Sequence, residues 1–274
     1  MTFASALSEM RVDRVSLCIG VDPHAHILDA WGLEDTPRGL DRFVDLVVEQ
    51  LGDTRVVVKP QVAFFERHGV AGMTALAKFL GLCRAHGIAS IGDAKRGDIG
   101  STMAGYADAW LTPGSDFEVD ALTLVGYQGV GALEPALDLA LSHGKGVFVL
   151  AATSNPEAWP TQSARRSDGL TVAAGVIADM ESWRERNPLA QDSHGIVIGS
   201  TVSQEQLGLD LSAHPTMPVL APGYGAQGAS LAAVREHFPH SASVIPVSAR
   251  AILDGGIDEF GPRIEAARQE SMSA

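Results

Sequence analysis

The sequence predicts a (β/α)8 barrel in one domain. Three observations carry that prediction: eight short apolar, β-branched runs recur from end to end, a helix-like segment follows each, and the 274 residues suit such a barrel. The runs are near-continuous, as expected of strands buried on both faces of a parallel sheet. The rival is a doubly wound open sheet, which would carry a GxGxxG turn after its first strand. The chain reads Gly20-Val21-Asp22-Pro23-His24 there instead. No linker or composition shift divides the chain, so residues 1–274 are expected to form one domain, with a short lead over 1–14 and a frayed tail over 271–274.

The first strand is expected over 15–21. The helix after it, 40–51, places Leu40, Phe43, Val44, Val47, Val48 and Leu51 on one face. The second strand, 56–58, precedes a helix over 69–86, which Gly87 closes in the manner of a C-terminal cap. The third strand, 88–91, precedes a helix over 99–111. The fourth, 119–124, precedes one over 130–142, with Gly144 beyond it. The fifth, 146–151, leads into the longest irregular stretch, 153–166, which reads equally as an active-site lid or a surface loop, and then a helix over 170–186. The sixth, 195–198, precedes a helix over 203–211 opened by Ser203, with Glu205 and Gln206 nearby. The last two strands, 218–221 and 244–247, precede helices over 229–237 and 257–270.

Charge narrows the function classes. Asp and Glu total 33 against 20 Lys and Arg, a net charge of −13. That opposes binding to nucleic acid or an acidic membrane, which needs clustered cations, but leaves room for one small anionic ligand held by a few basic residues. A hydrophobic fraction of 46% argues against disorder. Cys18 and Cys83 sit in apolar surroundings, forming neither a metal nor a disulfide pattern, and read as buried thiols in a reducing compartment. Residues 1–10 lack an apolar export core. The longest uncharged stretch, 211–234, is interrupted by Pro215, Pro218 and Pro222, so it is no continuous membrane helix. A cytoplasmic protein is expected.

In such a barrel chemistry sits at the C-terminal strand ends. Those ends carry Asp22, Lys59, the run Asp93-Ala94-Lys95-Arg96-Gly97-Asp98, Thr123, Thr153 with Ser154, the loop Pro222 to Gly228, and Ser248 with Arg250. In an extended chain Asp93 and Lys95 point to the same side, and a lysine between carboxylates stays protonated, poised to donate a proton rather than to attack as an amine. A surface salt-bridge cluster would read the same way from these residues alone. Lys59 tips the balance, because it closes the apolar run Val56-Val57-Val58, where a charge is costly without a partner. A lone lysine could snorkel at the rim, but four charges at strand ends are hard to explain as packing. The loop over 222–228 holds three glycines, whose backbone N–H groups can approach an anion. Its place after the seventh strand, with Arg250 after the eighth, suits a phosphate, although a glycine-rich turn beside a surface arginine is the plainer reading.

The segment Asp93-Ala94-Lys95-Arg96-Gly97-Asp98-Ile99 with Thr102 resembles the orotidine 5′-phosphate decarboxylase family, which carries D-x-K-x-x-D-I followed by Thr. The likeness extends in order through Cys18-Ile19-Gly20-Val21-Asp22-Pro23, Val58-Lys59-Pro60-Gln61 with Phe64-Phe65-Glu66, Ala151-Ala152-Thr153-Ser154-Asn155-Pro156 and Pro222-Gly223-Tyr224-Gly225-Ala226-Gln227-Gly228. The length and wording resemble the longer bacterial subfamily of the mycobacterial kind. The resemblance implies a homodimeric barrel that converts orotidine 5′-monophosphate to UMP in pyrimidine biosynthesis, with no metal or organic cofactor. It implies Lys95 as proton donor to C6 of the pyrimidine and Asp93 beside the substrate carboxylate. Asp98 and Thr102 would reach into the partner subunit's site. Asp22 and Lys59 would contact the ribose hydroxyls, with Lys59 joining the charge network. Ser154 would bind the pyrimidine, and Gln227 and Arg250, with Gly225 of their loop, the phosphate.

Val125 and Gly126 stand where relatives carry Asn-Pro, so Thr123 alone is assigned to that strand end. Tyr224 replaces a smaller aliphatic residue. Three other readings share the fold: a Mg2+-dependent sugar-phosphate decarboxylase, which would place an acid where Lys59 stands; a Schiff-base lyase using Lys59 or Lys95; and a non-catalytic phosphate binder.

Overall fold

A computed structural model describes residues 2–11, 15–52, 54–225 and 228–273. Eight parallel strands alternate with helices in a (β/α)8 barrel: β1 Cys18–Val21, β2 Val57–Pro60, β3 Ile91–Arg96, β4 Ala121–Leu124, β5 Gly146–Ala152, β6 His194–Ile198, β7 Val219–Tyr224 and β8 Val244–Ser248. Paired neighbours run β2-β1-β8-β7-β6-β5-β4-β3. Single bridges Val58↔Ser90 and Gln61↔Asp93 join the two ends and close the ring.

Strand pleating sorts the apolar residues into two cores. Inward positions Cys18, Val57, Ile91, Ala121, Phe148, Val197, Leu220 and Ile245 form one buried cluster, while Ile19, Val58, Leu122, Val149, Ile196 and Val219 belong to a larger cluster shared with the outer helices. The helix Pro37–Leu51 buries every residue of its expected face, each contributing about 1.5–3 kcal/mol. The first residues are not a bare lead. Thr2 caps a helix Phe3–Met10 that inserts Phe3 and Leu7 into the inner cluster, with Phe3 edge-on to Phe148 at 6.0 Å. Gly146 permits this, since a Cβ there would lie 2.5 Å from the Phe3 ring.

Other boundaries shift for local reasons. The expected third strand, 88–91, stops where the observed one starts, because pairing continues through the polar residues, Asp93 with Gln61 and Arg96 with Leu124. The helix expected over 203–211 is only Gln204–Leu207, ended by Gly208 in the left-handed conformation at φ 65°. The segment 130–142 begins as a 3-10 turn, Val130–Leu133, before Glu134–Ser142, with Pro135 in the first α-turn, where no donor is needed. Of 229–237, only Val234–His237 is α-helical, after a 3-10 turn Leu231–Ala233. The final helix, Gly256–Met272, runs into the tail expected to fray, since Ser271 is buried and its hydroxyl donates to the Arg268 carbonyl at 2.8 Å. Among the described residues no helix is long and apolar enough to cross a membrane.

Candidate active site

The inward rows that are apolar at the barrel's middle become charged one step further up. Val57 is followed by Lys59 and Gln61, Ile91 by Asp93, and Ala121 by Thr123. These side chains meet on one carboxylate. Asp93 Oδ2 accepts from Lys59 Nζ at 2.5 Å and Gln61 Nε2 at 2.9 Å; Oδ1 accepts from Lys95 Nζ at 2.6 Å and Thr123 Oγ1 at 3.0 Å. Lys59 and Asp93 are 5% and 7% exposed, so this is a buried ion pair and not the surface cluster the sequence left open. Burial alone would raise the Asp93 pKa, but the Lys59 and Lys95 charges and their hydrogen bonds reverse that and hold it far below the carboxylate range. Burial likewise opposes the Lys59 charge, yet Asp93 and Asp22 outweigh it and push its pKa up.

Lys95 reaches Asp93 by a different route from the expected extended alternation. It lies in the left-handed region at φ 49°, where non-glycine residues rarely sit, and the β3–β4 register slips between Gly92 and Arg96. The Thr123 hydroxyl accepts from the Lys95 backbone N–H at 3.0 Å and so supports the irregularity. The bulge re-aims the lysine into the barrel mouth, a strained placement of the kind that clusters at functional sites. Arg96, next along, ion-pairs with Glu66 at 2.5 Å and ties β3 to the helix Ala63–Glu66.

Above this network opens a cavity of about 520 Å3 lined by Asp22, Lys59, Asp93, Lys95, Thr123, Ser154 and Arg250 among others. The structure thus gathers most of the expected site residues in one place. Asp98, Thr102 and Gly225 do not line it. Asp98 accepts from the Ile99 backbone N–H at 2.8 Å, and Thr102 is exposed beside it on the helix Gly100–Leu111. Gly225 turns the phosphate-loop candidate at φ 81°, where a Cβ would come within 2.6 Å of Ala251. Gln227 lies outside the described residues. Arg250 stands exposed at the start of the helix Arg250–Leu253, facing the cavity. Tyr224 is buried, its hydroxyl 3.2 Å from His237 Nδ1.

Gln61, His24 and Phe64 also line the cavity, though the sequence assigned none of them a site role. Gln61 was findable as the next inward position after Lys59. The His24 ring packs 4.0 Å from Phe64, and burial first of all lowers its pKa. Phe64 stands in the stretch that resembles the family but carried no expected site role, and nothing in the local pattern marked His24.

Asp22 is the unsatisfied member of the site. Its Oδ1 is buried with no hydrogen-bond partner, and burial raises its pKa despite the opposing charge of Lys59. A raised carboxylate pKa means folding favours the protonated form, so stability falls as pH rises through the window above 3.8. Asp22→Asn is therefore expected to raise the melting temperature of the free protein at pH 7 by a few degrees while weakening ligand binding. Paired thermal melts and binding titrations check this, and a destabilised variant would refute it.

The profile described as Orotidine 5'-phosphate decarboxylase / HUMPS family matches residues 16–258. The Salinispora tropica protein named orotidine 5′-phosphate decarboxylase is 47% identical over 269 residues, covering 97% of this chain and 95% of its own. Its Streptomyces coelicolor namesake is 43% identical over 271 residues, covering 97% and 95%. The crystal structure of a Streptomyces avermitilis homologue described under the same enzyme name superposes with a TM-score of 0.91 at 42% identity, covering 100% of this chain and 96% of that one. With the Asp93 carboxylate of the D-x-K-x-x-D run buried at the barrel mouth between Lys59 and Lys95, this chain belongs to the orotidine 5′-phosphate decarboxylase / HUMPS family and is an enzyme of the carboxy-lyase class.

Proposed function

We propose that the chain decarboxylates orotidine 5′-monophosphate to UMP, with Lys95 as the proton donor. The observation that carries this is the Asp93 carboxylate held by Lys59 and Lys95 on the floor of a cavity whose rim carries Arg250. Arg250, with the glycine-bearing loop over 222–228 and Gln227 in it, would hold the phosphate. Asp22 and Lys59 would take the ribose hydroxyls, and Ser154 and Thr123 would face the pyrimidine. The substrate carboxylate would then sit against Asp93, beside the Lys95 ammonium.

The C6–carboxylate bond breaks and CO2 leaves with the electron pair remaining on C6, where no neighbouring π-system absorbs it. A fixed ammonium aimed at that carbon stabilises the developing charge without reorganising, and its N–H bond then delivers the proton to C6. Asp93 contributes by keeping Lys95 in place and by crowding the departing carboxylate. Binding energy from the distant phosphate would organise the site for this step.

Asp98 and Thr102 lie off their own cavity, beside Ile99, which is 60% exposed. We place them in a partner's site, which makes the homodimer the working unit. The raised Lys59 pKa and the tie of both lysines to Asp93 disfavour a Schiff-base lyase, which needs a neutral amine. A divalent ion at this floor would face both ammonium groups, which disfavours the Mg2+-dependent sugar-phosphate reaction.

The expected result is loss of the orotate absorbance of orotidine 5′-monophosphate at an undiminished rate after exhaustive EDTA treatment. Inactivity on this substrate, or activity that EDTA abolishes and Mg2+ restores, would overturn the reading.

A further inference from the structure

The excursion after β5, which the sequence leaves open as lid or ornament, is tied to the strand end by one side chain. Gln162, at the end of the helix Trp159–Gln162, makes two bonds to Thr153: the Thr153 backbone N–H donates to Gln162 Oε1 at 3.0 Å, and Gln162 Nε2 donates to Thr153 Oγ1 at 2.9 Å. The chain of donors continues outward. Thr153 Oγ1 donates to Asn155 Oδ1 at 2.8 Å, and Asn155 Nδ2 to Glu157 Oε2 at 3.0 Å. Both functions of the Gln162 amide are used, so its orientation is fixed. The far end of the segment is pinned as well. Arg166 pairs with Asp179 at 2.8 Å on the helix Val172–Arg186, and Val172 N–H donates to the Ala164 carbonyl at 2.8 Å.

Between the two bonded positions lies Ser154, facing the cavity. On its other side is Gly199, just past β6, where a Cβ would come within 3.2 Å of the Ser154 nitrogen. Ser154 therefore has little room: Gly199 backs it, and the Gln162 bonds fix the residue before it.

We infer that Gln162 is a positioning residue that sets Ser154 against the pyrimidine end of the substrate through its two bonds to Thr153. The inference rests on the proposed decarboxylation, which supplies the pyrimidine. A positioning residue at this strand end acts on one end of the ligand only. Loss of the bonds should loosen the pyrimidine end and leave the phosphate end alone.

Gln162→Met keeps the length of the side chain and removes both hydrogen bonds. Three results are expected. The Thr153 amide exchanges its hydrogen faster. The kcat/KM for orotidine 5′-monophosphate falls by about 10- to 100-fold, the scale of a small misplacement. Competition by ribose 5-phosphate, which carries the phosphate but no base, is unchanged. In a cycle with Ser154→Ala, Gln162→Met adds little once Ser154 is gone, because it acts through that residue. Additive losses, or wild-type turnover despite faster Thr153 exchange, would overturn the inference. Should Gln162→Met fail to fold, Gln162→Glu keeps the acceptor and loses the donor, and the same cycle applies. A wild-type protein inactive on orotidine 5′-monophosphate would instead sink the proposed function, while the Thr153 exchange still reports on the clamp.

Discussion

Lys95→Ala is expected to lower decarboxylation of orotidine 5′-monophosphate by about 10^4-fold or more, since on the proposed mechanism it removes both a preorganised charge and the proton donor. Binding of UMP and the fold should persist. Lys95 is the more exposed of the two lysines on Asp93, with 41% of its side chain accessible against 6% for Lys59, so its removal leaves Asp93 still paired with Lys59 and bonded to Gln61 and Thr123. The strained backbone at φ 49° is retained by the alanine, with Thr123 still accepting from its N–H, so no new conformational cost arises. Turnover by absorbance, UMP titration and circular dichroism separate the three expectations. Co-expression with an Asp98→Ala chain should restore part of the activity, because in a mixed dimer one site regains both groups. Wild-type turnover by the single variant would end the proposed mechanism, and failure of the mixture would end the trans role of Asp98.

Much of this site was legible because a parallel barrel makes strong local demands. A strand buried on both faces admits charge only where it reaches the mouth, so Lys59 after Val56-Val57-Val58 and Asp93 after the third apolar run announced themselves. The fold followed from the same runs. What stayed hidden depends on contacts distant in sequence or on backbone irregularity. Nothing in Asp93-Ala94-Lys95 reveals that the chain bulges there, because the cause is the Thr123 hydroxyl on the next strand. Gln61 escaped because the expected second strand stopped at Val58, three residues short of it, whereas the inward row runs on through Lys59 to Gln61, both of which bond Asp93. The N-terminal helix was missed because Phe3 and Leu7 look unremarkable until Gly146 makes room for them. The acidic composition, finally, said nothing of a site whose floor carries two lysines.

Asp93→Asn is expected to damage both stability and turnover, and the pH dependence separates it from an ordinary core defect. Lys59 sits 5% exposed with Asp93 as its ion-pair partner. An amide can present one oxygen to that ammonium but no charge, and its N–H groups oppose Lys95 or Lys59, whichever they face. Removing one member of such a buried pair costs about 3–5 kcal/mol. The Asp93 carboxyl is held far below its ordinary value of 3.8 by the two lysines, against the push of burial. A depressed carboxylate pKa means the unfolded chain binds the proton more readily. The stabilisation is therefore complete above pH 3.8 and is lost as pH falls through that value toward the native one. The melting temperature of Asp93→Asn should thus lie well below that of the parent at pH 7, with the gap narrowing in acid below about pH 4. A gap that does not change with pH would show that the ion pair is not its source. Turnover should fall by about 10^2-fold or more, through kcat, because on the proposed mechanism a misplaced Lys95 no longer faces C6. UMP lacks the carboxylate that Asp93 would crowd, so its affinity should change less than kcat. Equal losses in both would place Asp93 in scaffolding alone and leave Lys95 without its positioning partner.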